Sequence, residues 1–389
     1  MLNSLEIKNF RMLRDFKVSR LGQLNLIVGK NNSGKSTVLE AIRLFAGNGR
    51  LPLLRQIARS HDEKYNLPTD DVDDSDGVLR FQHFFTGRVF PENEDEAIVI
   101  GESDSDKTLR IQHAYYIEEE ETITDSEGDT RTTFRRKRIT RSEAANESED
   151  RVTQALVISS GKRNTIVTLT NNRRNARVGG TPAFPAISPT SYTYVPTQFI
   201  SMDEIAADWD RIALSPHADS AKEALRIVAP DLEDLVFVNR PNTQDEWGDN
   251  TPQRVAKVKL KGIDGPIPLA SMGDGMLRVL QLILKVFPAA GGYLLIDEFE
   301  NGLHYSVQEK IWDLLFRLAR DLNVQVFATT HSWDCIESFA KVAVDRTDIE
   351  GVLFRVGRSV RETDRNNVIA TVFDEERLLN LTQSDVEVR

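Results

Sequence analysis

The chain has 389 residues, 40% of them hydrophobic and 28% charged, with a formal net charge of -11. That composition is ordinary for a folded globular protein, and the acidic balance excludes whole-molecule attraction to nucleic acid or to an anionic membrane surface. The single cysteine, Cys335, excludes an intrachain disulfide and fits a reducing cytoplasm.

In chain order, MLNSLEIKNFRML at the start lacks the apolar core of a secretory signal. No apolar run reaches the ~18 residues of a membrane span, so a cytoplasmic protein without membrane contact is expected. LEIKNF and DFKVSR read as short strands, LNLIV as a buried strand and STVLEAIRLFAG as a helix closed by Gly47. Residues 51–190 are polar and acid-rich. TDDVDDSDG, ENEDEA, ESDSD and IEEEETITDSEGD mark turns between the alternating segments AIVIGE, TLRIQHAYYI, ALVISS and TIVTLT. TDDVDDSDG is not a calcium loop, because Asp76 and Gln82 stand where that loop needs glycine and glutamate. The basic runs Arg135–Arg138, with Arg141, and Asn171–Arg177 read as solvated hairpin turns beside neighbouring acids, with nucleic-acid binding as the alternative. Gly180–Ser191 reads as a linker.

SMDEIAADWDRIAL and SAKEALRIVA then carry helical periodicity. From residue 265 strands and helices alternate: GMLRVLQLILKVF, YLLID, YSVQEKIWDLLFRLARDL, VQVFATT. Cys335 and the tryptophans Trp209, Trp312 and Trp333 fall in apolar helix patterns and read as core. The expected fold is α/β. Residues 1–50 and 191–389 form a P-loop NTPase core with a mostly parallel sheet and a small helical lid at about 199–235. Residues 51–190 form an inserted antiparallel β subdomain.

GKNNSGKS, Gly29 to Ser36, has the spacing of a phosphate-binding loop between a strand and a helix. Gly29 and Gly34 let the backbone wrap a phosphate without Cβ clashes. Asn31, Asn32 and Ser33 complete the loop, and N–H groups from Asn32 to Thr37 would face the anion at a helix N-terminus. Lys35 would neutralise the β and γ phosphates, Ser36 would ligate Mg²⁺ and Thr37 would donate to the α phosphate of ATP. YLLIDEFENGLH ends a buried strand in two acids, Asp297 on the metal side and Glu298 as general base. His331 follows the strand VQVFATT and would hydrogen-bond the γ phosphate and orient the attacking water. Ser271, Gly273 and Gly275 precede the helical run Met276–Phe287 and form a second anion-binding start; a plain capped helix is the alternative. The chain has one lysine-bearing phosphate loop. The second start would therefore serve a nucleotide held by another copy, two chains enclosing two ATP molecules.

This ordered set, GKNNSGKS, LASMGDGM, LLIDE, ENGLH and a strand-end histidine, resembles the ABC-type ATPase heads of the RecF/SMC-like and OLD-like branch. SLEIKNFRML, LTQSDVEVR and SMGDGM in place of LSGGQ point to the same branch. The resemblance covers residues 1–50 and 190–345. It implies that Ser271 and Gly273 form the signature loop acting in trans, that Asn301 to His304 cross the dimer, that Gln198 senses Mg²⁺ and γ phosphate, and that Arg11 touches the nucleotide. The long coiled coil of SMC heads and the toprim acids of OLD nucleases have no counterpart here. The resemblance thus implies a homodimer, or a higher oligomer, that switches a separate effector such as a nuclease, as in two-gene anti-phage systems like Septu or PARIS. The alternatives are a DNA-repair ATPase acting directly on DNA, a transporter subunit, a self-contained nuclease and a non-hydrolysing ATP-bound scaffold.

Overall fold

LNLIV is buried at every position, Leu24 to Val28. A strand buried on both faces belongs in the middle of a sheet covered by helices. In the computed structural model it is indeed flanked on both sides by parallel strands, Gln325–Thr330 and Gly351–Arg358. Tyr293–Ile296 and Tyr192–Val195 extend the parallel run, and Val368–Phe373 closes the far edge antiparallel. Asn25 is the one polar residue of the strand. Its amide is satisfied by Gly22 O at 2.8 Å and Val326 O at 3.1 Å, and its oxygen accepts from Gly22 N at 2.9 Å. Because the five parallel strands run in one direction, the residues that leave their C-terminal ends meet at one edge: Gly29, Pro196, Asp297 and His331.

The structure describes residues 1–65, 78–93, 95–103, 105, 107–124, 130–148, 151–161, 163–169, 190–239, 254–361, 364 and 366–373. TDDVDDSDG, the run Asn171–Arg177, most of the expected linker (180–189) and LTQSDVEVR lie outside the described residues. The chain divides into two compact units. The first comprises Met1–Asn3, Val18–Leu39 and Thr190–Arg389, and the second Ser4–Lys17 and Glu40–Pro189.

In the first unit the six-stranded sheet shares one apolar core with its helices. Leu26, Val28, Leu294 and Ile296 from the sheet join Leu280 and Ile283 of the helix Asp274–Val286, Trp312 and Phe316 of Tyr305–Asp321, and Phe339 of Trp333–Asp345. The helices Met202–Ile212 and His217–Val228, expected as a lid, bury Trp209 and Leu225 in that same core. Cys335 is fully buried there, and burial pushes its thiol pKa well up, as for an inert core thiol.

In the second unit a seven-stranded sheet is antiparallel throughout. The expected mostly parallel core sheet is the six-stranded one, and the antiparallel sheet, expected of residues 51–190, also takes in strands expected in that core. Leu5–Phe10 and Leu13–Val18 belong to the antiparallel one, Leu5–Phe10 pairing with Ala97–Gly101. Alternation in LEIKNF specifies a half-buried strand, not which strand lies beside it. The basic run Arg135–Arg138 lies in the strand Thr130–Ile139, not in a turn, opposite an acidic stretch of Thr108–Thr124. Arg136 Nε lies 3.6 Å from Glu118 and Lys137 Nζ 2.8 Å from Glu119. That pairing leaves less free positive charge for nucleic acid than the bare sequence shows. Among the described residues no helix is long and apolar enough to cross a membrane.

Trp312 stacks on Phe299 at 3.8 Å between ring centroids and meets Phe339 edge-on at 5.0 Å. Trp312→Ala is expected to lower the stability of this unit by about 3–5 kcal/mol, because a fully buried indole leaves a cavity that three converging elements cannot collapse. Urea unfolding followed by tryptophan fluorescence measures this, and a loss under about 1 kcal/mol would show that the stack is not a keystone of the core.

Candidate functional site

The phosphate loop folds as its glycines require. Gly29 has φ 152°, and a Cβ there would lie 2.3 Å from Val356 O and 2.8 Å from Ser33 Oγ. Any side chain would push the loop off the neighbouring strand. The loop turns through Asn32, left-handed at φ 60°, and the helix Lys35–Ala46 opens with Val38 N donating to Gly34 O at 2.9 Å. Lys35 is buried. Its Nζ donates to Gly29 O at 2.8 Å and Lys30 O at 3.1 Å. Desolvation lowers the Lys35 pKa, opposed by the carboxylates of Glu298, Asp297 and Glu300. The Ser33 hydroxyl is buried without a hydrogen-bond partner among the described residues. A close-wrapped loop, a buried ammonium and an unpartnered hydroxyl fit a polyphosphate.

Asp297 leaves the strand Tyr293–Ile296 and gathers three hydroxyls. Ser36 Oγ donates at 3.2 Å, Thr329 Oγ1 at 2.7 Å and Thr197 Oγ1 at 3.3 Å. The Ser36–Asp297 contact is the pair expected to hold Mg²⁺, and a hydroxyl with a carboxylate is the hard oxygen set that Mg²⁺ takes alongside phosphate. Glu298 follows in the left-handed region at φ 49°, an uncommon conformation for a residue with a side chain. Its N–H donates to Thr329 Oγ1 at 2.9 Å, so one threonine hydroxyl fixes both acids.

His331 stands beside this pair. Its Nδ1 lies 3.1 Å from Glu300 Oε1 and 3.7 Å from Glu298 Oε1. Glu300 Oε1 also accepts from the backbone N–H groups of His331 at 2.9 Å and Ser332 at 3.1 Å. Nδ1 therefore faces two carboxylates, and Nε2 is the ring atom left for a ligand. Asn301, in the loop that follows, donates from Nδ2 to Thr197 O at 2.6 Å and closes the circuit.

The other expected residues lie as follows. From the segment after Tyr192–Val195 it is Thr197 that reaches Asp297; Gln198, next in the chain, is exposed. The second glycine-rich start is a helix at Asp274–Val286, opening before Met276, with Ser271 and Gly273 exposed ahead of it. Ser271 Oγ donates to Pro268 O at 2.6 Å. A Cβ on Gly275 would lie 3.1 Å from Gly302 O, so this helix packs its first turn on the Asn301–His304 loop. Arg11 lies in the second unit, left-handed at φ 51°. Its guanidinium grips Glu63 bidentately at 2.7 and 3.1 Å and places Nε 3.1 Å from Glu40. It also lies over Phe84 at 5.1 Å.

Thr197, Thr329 and Glu300 are site residues that motif reading passed over. The first threonine of ATTHS, two places before the strand-end histidine, and the third acid of DEFE were the available signals.

Residues 24–334 match the model of the family described as "AAA domain, putative AbiEii toxin, Type IV TA system". The chain belongs to this AAA family. Membership carries nucleotide binding, and with the motif set above it makes the AAA-family chain an ABC-type ATPase head of the RecF/SMC-like and OLD-like branch. It is 24% identical over 358 residues to an ATP/GTP phosphatase of Helicobacter pylori, covering 88% of each chain. It is 50% identical over 48 residues to an OLD nuclease of Thermus scotoductus, covering 12% of this chain and 9% of that protein. Among solved structures it is similar to an SMC head bound to the C-winged helix domain of ScpA, at 14% identity and a TM-score of 0.47, covering 97% of this chain and 99% of that one.

Thr329→Val keeps shape but removes the hydroxyl that Asp297 and Glu298 share. Without nucleotide it is expected to destabilise the protein by about 1–3 kcal/mol, the cost of leaving buried polar groups unpaired. Thermal unfolding of the purified variant checks this, and an unchanged midpoint would show that Asp297 is held without it.

Proposed function

We propose that this chain is a Mg²⁺-dependent ATP hydrolase whose two copies close on two ATP molecules, and that hydrolysis resets a switch controlling a separate effector. The observation that carries it is the contact of Ser36 with Asp297, with Glu298 and the His331–Glu300 pair at the same sheet edge. Bound Mg²⁺ would neutralise charge on the β and γ phosphates, held by Ser36 and, through water, by Asp297. Gln198 of the same segment as Thr197 would sense the ion and the γ phosphate.

Lys35 would exchange the carbonyls of Gly29 and Lys30 for phosphate oxygens. The added negative charge offsets its desolvation and returns its pKa toward the usual lysine range. Asn31, Asn32, Ser33 and Gly34 would line the loop, and Thr37 would bond the α phosphate. Glu298 would take a proton from the attacking water. Glu300 holds the imidazole so that His331 Nε2 would bond the γ phosphate and steer that water. Ser271, Gly273 and Gly275 of the second copy would close over the phosphates from the far side, with Asn301 to His304 crossing between copies.

The name of the Helicobacter pylori relative, ATP/GTP phosphatase, supports hydrolysis. The family's description as a Type IV TA system supports work with a separate partner, and we place that work in bacterial anti-phage defence in the cytoplasm. The effector, a nuclease or another nucleic-acid-directed protein, would be supplied by a different chain.

Lys35→Ala is expected to abolish binding of a fluorescent ATP analogue. Glu298→Gln is expected to keep that affinity and lower turnover by at least about a hundredfold, in line with loss of a general base. With ATP and Mg²⁺ it should run as a dimer in light scattering. Ser271→Arg should bind nucleotide normally and fail to hydrolyse it. Turnover by Glu298→Gln at the unsubstituted rate would remove the base assignment, and loss of binding in Ser271→Arg would place that serine in its own chain's pocket.

A further inference from the structure

The helix Asp274–Val286 buries a cation that nucleotide chemistry does not require. Arg278 is 0% exposed. Among the described residues no carboxylate lies against its guanidinium, which meets backbone carbonyls: Nη1 donates to Pro196 O at 2.7 Å, and Nη2 to Asp297 O at 2.9 Å and Glu298 O at 2.7 Å. Burial lowers its pKa to about 10, partly offset by the more distant Glu300, Asp297 and Glu298 carboxylates, so it stays charged at neutral pH. A buried charge is costly unless its surroundings are fixed to receive it. Here the receiving atoms are the main chain of the acid pair and of the segment that leads to Thr197 and Gln198.

Three details give this cage a direction. Glu298 holds its left-handed conformation only while the turn around it is constrained, and two carbonyls of that turn are bound by Arg278. Arg278 lies one helical turn beyond Gly275, whose close approach to Gly302 seats the helix on the Asn301–His304 loop. The helix opens at Asp274, directly after the segment that holds the exposed Ser271 and Gly273, so a displacement that carries its first turn moves Arg278 and the carbonyls it holds. We propose that Arg278 is a positioning residue that ties the Ser271 helix to the Asp297–Glu298 turn, so that closure over a second copy's ATP is felt at the general base of its own chain. The proposal rests on the two-copy reading above for its trigger, but not for the linkage within the chain.

The test uses the full-length protein with Arg278→Lys, which keeps a cation that cannot span three carbonyls, and Arg278→Met, which keeps only bulk. Both are expected to bind the fluorescent ATP analogue within about threefold of the unsubstituted protein, while kcat falls at least about tenfold with KM nearly unchanged. Hydrogen–deuterium exchange, without nucleotide, is expected to speed up at least about tenfold at the amides of Glu298 to Asn301 and stay constant at Leu282 to Val286. If Arg278→Met does not fold, Arg278→Lys carries the test. Unchanged exchange at the turn, or exchange that rises equally along the whole helix, overturns the proposal. If the unsubstituted protein neither hydrolyses ATP nor dimerises with it, the two-copy reading falls, and the exchange pattern still decides the role of Arg278.

Discussion

One carboxylate organises the candidate site. Asp297 accepts hydroxyls from the phosphate-loop helix, from the segment after Tyr192–Val195 and from the strand that precedes His331. Each element arrives on a different parallel strand, and only a sheet whose C-terminal ends share an edge can bring them within one hydrogen bond of a common carboxylate. The constraint runs both ways. The sheet needs LNLIV at its centre, buried on both faces, and the site needs that central strand because Gly29 leaves it directly against Val356 O.

Around this point the protein trades regular geometry for chemistry. Glu298 sits in a left-handed conformation that costs a side-chain residue about 1 kcal/mol or more. Hydrogen bonds offset it from both sides: Thr329 holds its N–H and Arg278 its carbonyl. Phe299 then leaves the turn into the core to stack on Trp312. The half-exposed carboxylate is thereby mounted on a main chain fixed at three successive positions, which suits a group that must meet water at a set place. The imidazole of His331 is treated alike, with Glu300 3.1 Å from its ring nitrogen and bonded to its backbone N–H.

The second unit follows different rules. Its antiparallel sheet sets basic and acidic stretches on neighbouring strands, and it holds Arg11 between Glu63 and Glu40, roofed by Phe84. Arg11 is the residue for which resemblance and geometry differ most. The family pattern assigns it to a nucleotide, while the structure shows its guanidinium already engaged by two carboxylates.

The sequence alone determined the parts whose physics is local. A lysine-bearing glycine loop between a buried strand and a helix has few other uses, so Gly29 to Thr37 were legible, as were Asp297 and Glu298 at a strand end and the helix start after Ser271. Thr197, Thr329, Glu300 and Arg278 were not, because a threonine, a third acid and an arginine in an apolar helix carry little signal until the chain places their partners, 20 residues away for Arg278 and Glu298 and 100 for Thr197 and Asp297. Strand pairing was hidden for the same reason. LEIKNF shows in its alternation that it is a strand, but its place in the antiparallel sheet rests on Ala97–Gly101, far along the chain. Local pattern fixes what an element is and which chemistry it can bear; which atoms meet is decided by burial and hydrogen bonding between distant segments, and only the tertiary structure contains those.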